Sequence, residues 1–237
     1  MSVAQLQQRI ITVQARIATA ARRAGRDPAD VSMIAVSKTQ APETVAAAYR
    51  AGLRLFGENR VEEAAPKALA VADLLAPEPP PSWHMVGHLQ SRKAADALPW
   101  AAMIHSVESE KLARRLSRFC AEQVREMPVL IEVNVSGEDS KYGVLPGALA
   151  DLVNLVAGLP GLRLEGLMTV APIAADPEDV RPIFAGLRVL RDDLAERYPG
   201  LGLRHLSMGM TDDFEVAIEE GATLIRIGRA IFGERNG

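Results

Sequence analysis

The sequence predicts an α/β fold, a single (β/α)8 barrel of the TIM type closed by eight parallel strands, with an extra helix before the first strand. Short apolar, β-branched runs alternate with longer helical patterns from Val31 onward, and eight such runs are present. A chain of 237 residues also matches the length of one such barrel, about 200 to 250 residues.

A doubly wound open sheet is the alternative fold. Closure into a barrel removes both edges of the sheet, which favours the barrel for eight β/α units. The G-x-G-x-x-G fingerprint of dinucleotide-binding open sheets is absent after the first run, where the sequence reads Ser37-Lys38-Thr39. We therefore expect one domain over 1–237, with a helix and lead-in over 1–30 and the barrel over 31–237.

The elements follow in order along the chain. The extra helix spans about Ser2 to Ala24, because Leu6, Ile10, Val13 and Ile17 recur on one helical face. The predicted strands are Val31–Lys38, Leu53–Asn59, Trp83–Leu89, Met103–Val107, Val129–Ser136, Leu162–Val170, Leu203–Gly209 and Thr223–Gly228. The predicted helices between them are Pro42–Ala51, Val61–Leu75, Glu110–Val124, Leu149–Gly158, Val180–Arg197 and Asp212–Glu220.

Several boundaries carry their own stop signals. Gly52, Gly161, Gly200 and Gly221 each follow a helical stretch, where a residue that tolerates positive φ is favoured before the next strand. Asp176-Pro177 has the opposite character, a polar cap followed by a proline in the first helical turn. The alternation is therefore consistent at the level of single residues.

Charge and composition exclude several classes of protein. The 27 basic and 30 acidic residues give a net charge of −3, so no global positive field attracts nucleic acid or anionic membrane. The start, Met1 to Ile10, has no signal-peptide pattern, and no apolar run approaches about 18 residues. The lone Cys120 has no partner for an internal disulfide. We expect a cytoplasmic protein that binds neither nucleic acid nor membrane.

Chemistry in such a barrel belongs at the carboxyl ends of the strands, and Lys38 ends the first of them. Its aliphatic stem would leave an apolar wall and its amine would lie in the mouth. Partial burial and a neighbouring cation such as Arg226 favour the neutral amine, the form that attacks a carbonyl to give a Schiff base. The alternative is a lysine that only extends its amine to solvent from a strand end.

A phosphate site is predicted at the loops after strands seven and eight. Gly209 and Gly228 would let the backbone approach an anion closely, and Ser207 or Thr211 can donate a hydroxyl. The helix dipole favours an anion there by about 0.3 to 1 kcal/mol.

Two observations count against the phosphate site. Asp212 and Asp213 would repel an anion unless they point away. Thr211 is equally suited to be a plain N-cap of the helix 212–220.

Arg226 lies inside an apolar strand, and a buried guanidinium is costly unless it finds an acceptor. A pyridine nitrogen would suit it, since an arginine there keeps the ring unprotonated. The alternative is a structural ion pair with Glu132 or Glu165 from other strands.

Other polar residues give weaker signals. Asn59 ends strand two and would reach a ring hydroxyl or cap a turn. His84 and His88 lie four apart on a strand without a third ligand, so we predict no metal site. Lys141 lies in a polar loop after strand five, either solvated or at the mouth.

Seven motifs together closely resemble the pyridoxal phosphate homeostasis protein family (YggS/PROSC type). In order from about residue 31 to 233, they are Val36-Ser37-Lys38-Thr39, Phe56-Gly57-Glu58-Asn59, Trp83-His84-Met85-Val86-Gly87-His88-Leu89-Gln90, Ser140-Lys141-Tyr142-Gly143, Gly166-Leu167-Met168, Leu206-Ser207-Met208-Gly209-Met210 and Ile225-Arg226-Ile227-Gly228. The resemblance implies a fold similar to the barrel domain of alanine racemase.

The resemblance also implies the cofactor and its contacts. It implies pyridoxal 5'-phosphate on Lys38, Arg226 facing the pyridine nitrogen, and a phosphate cradle of the residues Ser207, Thr211, Gly228 and Arg229. The sequence departs from the family pattern at Arg60, where a tyrosine is usual, at Arg92, where an asparagine is commoner, and at Arg229, where a threonine usually offers its hydroxyl. Arg229 would supply charge instead.

The family implies a carrier or regulator of vitamin B6 and amino-acid pools rather than an enzyme. Alanine racemase-like enzymes use a second domain, and the sequence ends at Gly237, just after the eighth β/α unit. We therefore expect a monomer that stores, buffers or delivers pyridoxal phosphate, transiently meeting apo forms of the enzymes that use it. The alternatives are a single-domain racemase or lyase with Lys38 as base, and a barrel that binds a sugar phosphate instead.

Overall fold

Strands and helices alternate throughout the computed structural model, which describes residues 3–234. The strands are β1 (Ser32–Val36), β2 (Leu55–Glu58), β3 (Ser82–Met85), β4 (Ala101–Val107), β5 (Met127–Glu132), β6 (Leu162–Met168), β7 (His205–Ser207) and β8 (Leu224–Ile227). The α-helices are α1 (Val3–Arg23), α2 (Pro42–Arg50), α3 (Val61–Leu75), α4 (Ala94–Ala97), α5 (Glu110–Glu122), α6 (Leu149–Ala157), α7 (Arg181–Arg197), α8 (Phe214–Glu219) and α9 (Arg229–Phe232).

The eight strands pair in sequence order and close into a barrel in which every pairing is parallel. Strand β8 closes the barrel on β1, with Ile34 opposite Arg226 and Ala35 opposite Ile227. The predicted fold class is confirmed. Between residues 3 and 234, no helix has both the length and the apolar character needed to cross a membrane.

The predicted strands run past the observed ones mainly at their carboxyl ends. Single backbone hydrogen bonds continue there, from Ser37 N–H to Gly57 O (3.0 Å) and from Val133 N–H to Met168 O (2.8 Å), before the chain turns into the loops. Apolar periodicity does not record where a strand gives way to a loop. Helices α4 and α9 were not predicted, because four residues are too few to show a helical period.

The predicted boundary signals have mixed outcomes. Gly52, Gly161 and Gly221 have positive φ as expected, whereas Gly200 does not. Asp176 is an N-cap whose side chain accepts from Glu178 N, with a proline next to it. The extra helix is confirmed as α1, although Ser2 lies outside the described residues.

Helix α1 packs on the outside of the barrel, against α2, α8 and α9. The predicted apolar face of Leu6, Ile10, Val13 and Ile17 is buried. The Arg16 guanidinium lies 2.9 Å from Glu215 on α8, which adds an ion pair to the apolar contact.

The barrel encloses an apolar cluster of its own, distinct from the larger core between strands and helices. Its buried members are Ile34, Val86, Met103, Leu130, Met168 and Leu224, and Val36 packs against them. Side chains alternate along a strand. Glu132 and Arg226, each two residues beyond an inward-facing side chain, therefore lie on the same inner face. Lys38 follows β1 at its carboxyl end.

Candidate functional site

Lys38 lies in a tight turn directly after β1, half-buried at the mouth. The turn closes with a 3.0 Å hydrogen bond from Gln40 N–H to Ser37 O. Thr39 follows Lys38 at φ 65°, in the left-handed region that residues other than glycine rarely adopt. Such a residue costs on the order of 1–3 kcal/mol and clusters at functional sites.

A buried ion pair lies behind this turn, on the side facing α3. Lys67 Nζ donates to Glu58 Oε1 (2.7 Å) and to the Ser37 carbonyl (2.8 Å). The Ser37 hydroxyl donates to the same Glu58 oxygen at 2.7 Å. Sequence reasoning missed this pair, although one signal existed: Lys67 interrupts the buried face of α3 between Ala64 and Val71.

Arg226 is buried, with 5% of its surface exposed, and points into the barrel. Its guanidinium donates to Ser207 Oγ (2.6 Å) and to the Thr169 carbonyl (2.8 Å). Among the described residues no carboxylate lies within ion-pairing distance of it, and Glu165 instead pairs with Arg163 at 2.6 Å. The alternative of an ion pair with Glu132 or Glu165 is therefore wrong.

Burial lowers the pKa of Arg226 to about 10, although the charges of Glu132 and Asp213 oppose the shift. The guanidinium consequently stays charged at neutral pH. Because it is held by neutral acceptors, its charge remains available to a ligand.

A chain of hydrogen bonds extends from Arg226 across the barrel interior. Ser207 Oγ lies 2.8 Å from His105 Nδ1, and His105 Nε2 lies 3.0 Å from His84 Nδ1. Because an arginine only donates, Ser207 Oγ accepts from Arg226. Each of the two histidine contacts joins one donor and one acceptor and needs one proton.

His84 and His105, the two histidines in this series of hydrogen bonds, are neutral at pH 7. Burial lowers the pKa of His84 to about 4 and that of His105 well below its ordinary value. Sequence reasoning assigned no role to His105, because a single histidine in a strand has no distinctive spacing. Among the described residues, no group of three or more His, Cys, Asp or Glu side chains is arranged to hold a metal ion.

Glu132 reaches the mouth from β5. Burial, reinforced by the nearby Glu108 carboxylate, raises the pKa of Glu132 to about 7, while Arg226 opposes the shift. Its Oε2 is buried and makes no hydrogen bond within the described part of the chain. A buried polar atom without a protein partner is consistent with a site built for a polar ligand.

The predicted phosphate loops meet at the other side of the mouth. Thr211 Oγ1 accepts from Ala230 N–H at 3.4 Å, which joins the loop after β7 to the start of α9. Gly209 has φ 91°, and a Cβ there would lie 2.6 Å from Ala217 Cβ, so only glycine fits. The N-cap of α8 is Asp213, so the alternative of Thr211 as its N-cap is wrong.

The two aspartates that would repel an anion are both engaged by protein groups. Asp213 Oδ1 accepts from Met210 N–H at 2.6 Å. The exposed Asp212 carboxylate pairs with Arg229, whose guanidinium also lies 3.4 Å from Glu234. Arg229 therefore directs its charge toward carboxylates on the surface.

Gly228 brings the phosphate loops next to the Lys38 turn. A Cβ at Gly228 would lie 3.5 Å from the Val36 carbonyl, an ordinary contact, so its protein neighbours do not require glycine there. Gly228 is also the N-cap of α9. The lysine turn and the predicted phosphate loops thus share one edge of the barrel.

Asn59 lines a cleft of about 610 Å³ beside the mouth. A Cβ at Gly87 would lie 2.5 Å from Asn59 O, so glycine allows the loop after β3 to approach closely. Across the cleft, the His88 ring stacks on Tyr142 with centroids 4.0 Å apart. Lys141 donates to the Ala171 carbonyl at 3.4 Å, which joins the loops after β5 and β6.

Comparisons with known proteins place this chain in a family. The family model for the N-terminal domain of alanine racemase matches residues 10–236. A Pseudomonas aeruginosa protein named pyridoxal phosphate homeostasis protein is 46% identical over 227 residues, covering 96% of this chain and 94% of that protein.

Solved structures agree with these sequence matches. PipY of Synechococcus elongatus with PLP bound superposes with a TM-score of 0.83 at 34% identity, covering 96% of this chain and 100% of that one. Alanine racemase of Clostridium difficile shares the fold, with a TM-score of 0.67 at 14% identity, over 94% of this chain and 60% of that longer one. The chain belongs to the pyridoxal phosphate homeostasis protein family.

Proposed function

We propose that this protein binds pyridoxal 5'-phosphate at the barrel mouth and stores, buffers or delivers it, with Lys38 as a reversible covalent anchor through a Schiff base. One observation carries the proposal: Gly228 packs beside Val36, so the Lys38 turn and the anion-binding loops lie at one edge of the mouth. The structure of PipY, which has PLP bound, supports the choice of cofactor.

The residues at the mouth fit the chemical groups of this cofactor. When bound, pyridoxal phosphate supplies an aldehyde, which a lysine amine captures with release of water. Lys38 would provide that amine. Arg226 would donate to the pyridine nitrogen, because its charge is held in place by Ser207 and Thr169. Asn59 would approach the ring hydroxyl from the side of the cleft.

The phosphate would be held mainly by the loops after β7 and β8. We assign this role to the Thr211 hydroxyl and to backbone N–H groups beginning at Gly228, where Gly209 shapes the preceding loop. The Ser207 hydroxyl, fully buried and engaged by Arg226 and His105, holds the guanidinium in this proposal. Arg229 adds only long-range charge, because its guanidinium faces carboxylates.

A carrier is favoured over a racemase or lyase. The relatives are named for homeostasis of the cofactor and not for a reaction. We propose that the protein acts as a cytoplasmic monomer of one domain and passes the cofactor to apo forms of pyridoxal phosphate enzymes. Incubation with a panel of D- and L-amino acids should give no sustained change in stereochemistry or mass. Sustained turnover would favour the racemase or lyase.

The direct test is a spectrum followed by chemical trapping. Purified protein mixed with pyridoxal phosphate should show the yellow absorbance of a Schiff base, and borohydride reduction followed by peptide mapping should locate the adduct on Lys38. Lys38→Ala should lose both signals. Lys111→Ala, which removes an exposed lysine of α5, should retain them. An adduct spread over surface lysines, or none at Lys38, would overturn the proposal.

A further inference from the structure

The ion pair between Lys67 and Glu58 is almost completely shielded from solvent. Lys67 is 8% exposed and Glu58 is 0% exposed. Burying two charges costs desolvation, and apolar residues of similar volume usually stabilise a fold as well or better. Stability alone therefore does not account for a charged pair at this place in the barrel.

The contacts of the pair converge on one residue, Ser37, which precedes Lys38. Glu58 accepts from the Ser37 hydroxyl at 2.7 Å, and Lys67 donates to the Ser37 carbonyl at 2.8 Å. The same carbonyl accepts from Gln40 N–H at 3.0 Å, the hydrogen bond that closes the turn. The first residue of the turn is therefore held at both its side chain and its backbone.

The turn needs this support because its third residue is strained. Thr39, at φ 65°, occupies the position that favours glycine or asparagine in turns with a left-handed third residue. A residue in such a conformation persists only where its surroundings over-determine the backbone. The contacts at Ser37 supply that constraint, and Lys38 is the residue between the fixed end and the strained one.

We propose that Lys67 and Glu58 are positioning residues for Lys38: their ion pair holds Ser37, and through it the strained turn that presents the Lys38 amine to the mouth. This inference rests on the proposed function of Lys38. Neither positioning residue needs to touch the cofactor, because both lie on the side of the strand that faces α3.

The test replaces the pair with apolar residues, Lys67→Met together with Glu58→Leu. The protein should remain folded, with a melting temperature equal to or above that of the wild type. The Schiff-base affinity for pyridoxal phosphate, measured by absorbance titration, should fall by about fivefold to thirtyfold, the factor expected when one strained residue relaxes. Affinity for 4'-deoxypyridoxine phosphate, which lacks the aldehyde, should stay within twofold, roughly the limit of such a comparison.

A rescue variant separates positioning from general stability. Glycine adopts positive φ without steric cost, so adding Thr39→Gly to the double variant should let the turn re-form and should recover most of the Schiff-base affinity. A purely structural role for the pair predicts no such recovery. As a matched control, Arg163→Met with Glu165→Met removes an ion pair on β6 and should leave Schiff-base formation unchanged.

The outcomes distinguish the two proposals. No Schiff base at Lys38 in the wild type defeats the proposed function. A wild-type Schiff base that the double variant forms with unchanged affinity defeats the positioning role alone. If the double variant does not fold, Ser37→Ala tests the same idea by removing only the hydroxyl contact. It should give a smaller loss that Thr39→Gly restores, and a loss that Thr39→Gly does not restore would overturn the inference.

Discussion

Two buried cations of this barrel are stabilised in opposite ways. Lys67, on the outer side of the sheet, faces the carboxylate of Glu58 at 2.7 Å. Arg226, inside the barrel, is held by the neutral oxygens of Ser207 and Thr169. The Lys67 charge is neutralised by the adjacent carboxylate, so it influences only the position of the groups that it contacts. The Arg226 charge is not neutralised by a paired carboxylate, so its electric field can act on a ligand.

The difference shows that a buried charge has a function that depends on its partner. A cation that is paired with a carboxylate is neutralised locally, so its effect is confined to the groups that it contacts. A cation held by dipoles is preorganised without being neutralised, which is the arrangement used to stabilise charge on a bound molecule. Each of the following variants tests one side of this contrast.

The largest effect is expected when the matched pair is broken on one side. Glu58→Gln leaves the Lys67 charge buried without a carboxylate, so the free energy of unfolding in urea should fall by about 3–5 kcal/mol. The double variant Lys67→Met with Glu58→Leu should recover that loss. A Glu58→Gln protein as stable as the wild type would contradict the assignment of a buried pair that depends on both charges.

Glu132 should produce a pH-dependent effect of comparable size. Its pKa is raised from 4.5 to about 7 in the fold, so its contribution to stability is present below pH 4.5 and is lost as the pH rises to 7. At 1.36 kcal/mol per pH unit, that loss amounts to about 3 kcal/mol.

Replacement of Glu132 isolates this contribution. Glu132→Gln should match the wild type near pH 4.5 and exceed it in unfolding free energy above pH 7, because a glutamine does not ionise. The measurement is urea unfolding of both proteins from pH 4.5 to 8.5. A constant difference across that range would contradict the assignment.

Loss of the unneutralised cation should weaken ligand binding more than folding. A hydrogen bond from a charged donor contributes about 1.5–3 kcal/mol, so Arg226→Leu should lower affinity for pyridoxal phosphate by roughly tenfold to 150-fold. Fluorescence titration measures this, with Arg114→Leu, which removes an exposed arginine of α5 paired with the exposed Glu110, as the control. Equal affinity in Arg226→Leu would mean that the guanidinium does not face the ligand.

The smallest effect is expected at the surface. Arg229 is about half exposed and paired with Asp212 and Glu234, and such pairs contribute about 0–1 kcal/mol. Arg229→Ala should therefore change pyridoxal phosphate affinity by no more than about fivefold. A much larger loss in the same titration would place the guanidinium on the phosphate, as the family pattern implies for this position.

Elements with a clear period were predictable from sequence. Helix α3 was predicted with its observed bounds, because fifteen residues show the helical period fully. The eight strands were predicted because short apolar, β-branched runs alternate with longer helical patterns along the chain. Lys38 and Arg226 stood out because each places a charge at or inside an apolar run.

What escaped prediction depends on contacts between distant parts of the chain. His105 and Ser207 are 102 positions apart and meet only because β4 and β7 face each other across the barrel. Glu58 and Lys67 are nine apart and pair directly, yet both also bind Ser37, which follows another strand. Such contacts between different elements leave no periodic pattern in the sequence, because they arise when the barrel closes.

Helix α1 supports the barrel behind the loops that are proposed to hold the phosphate. It packs on α8 and α9, which begin just after the loops that carry Thr211 and Gly228. Its arginines Arg16 and Arg23 tie it to α8 at 2.9 Å and 2.6 Å. Helix α1 is remote in sequence from Thr211 and Gly228, yet it supports the helices that follow both loops. A barrel shortened by that segment would keep its full set of binding side chains and still hold an anion less firmly.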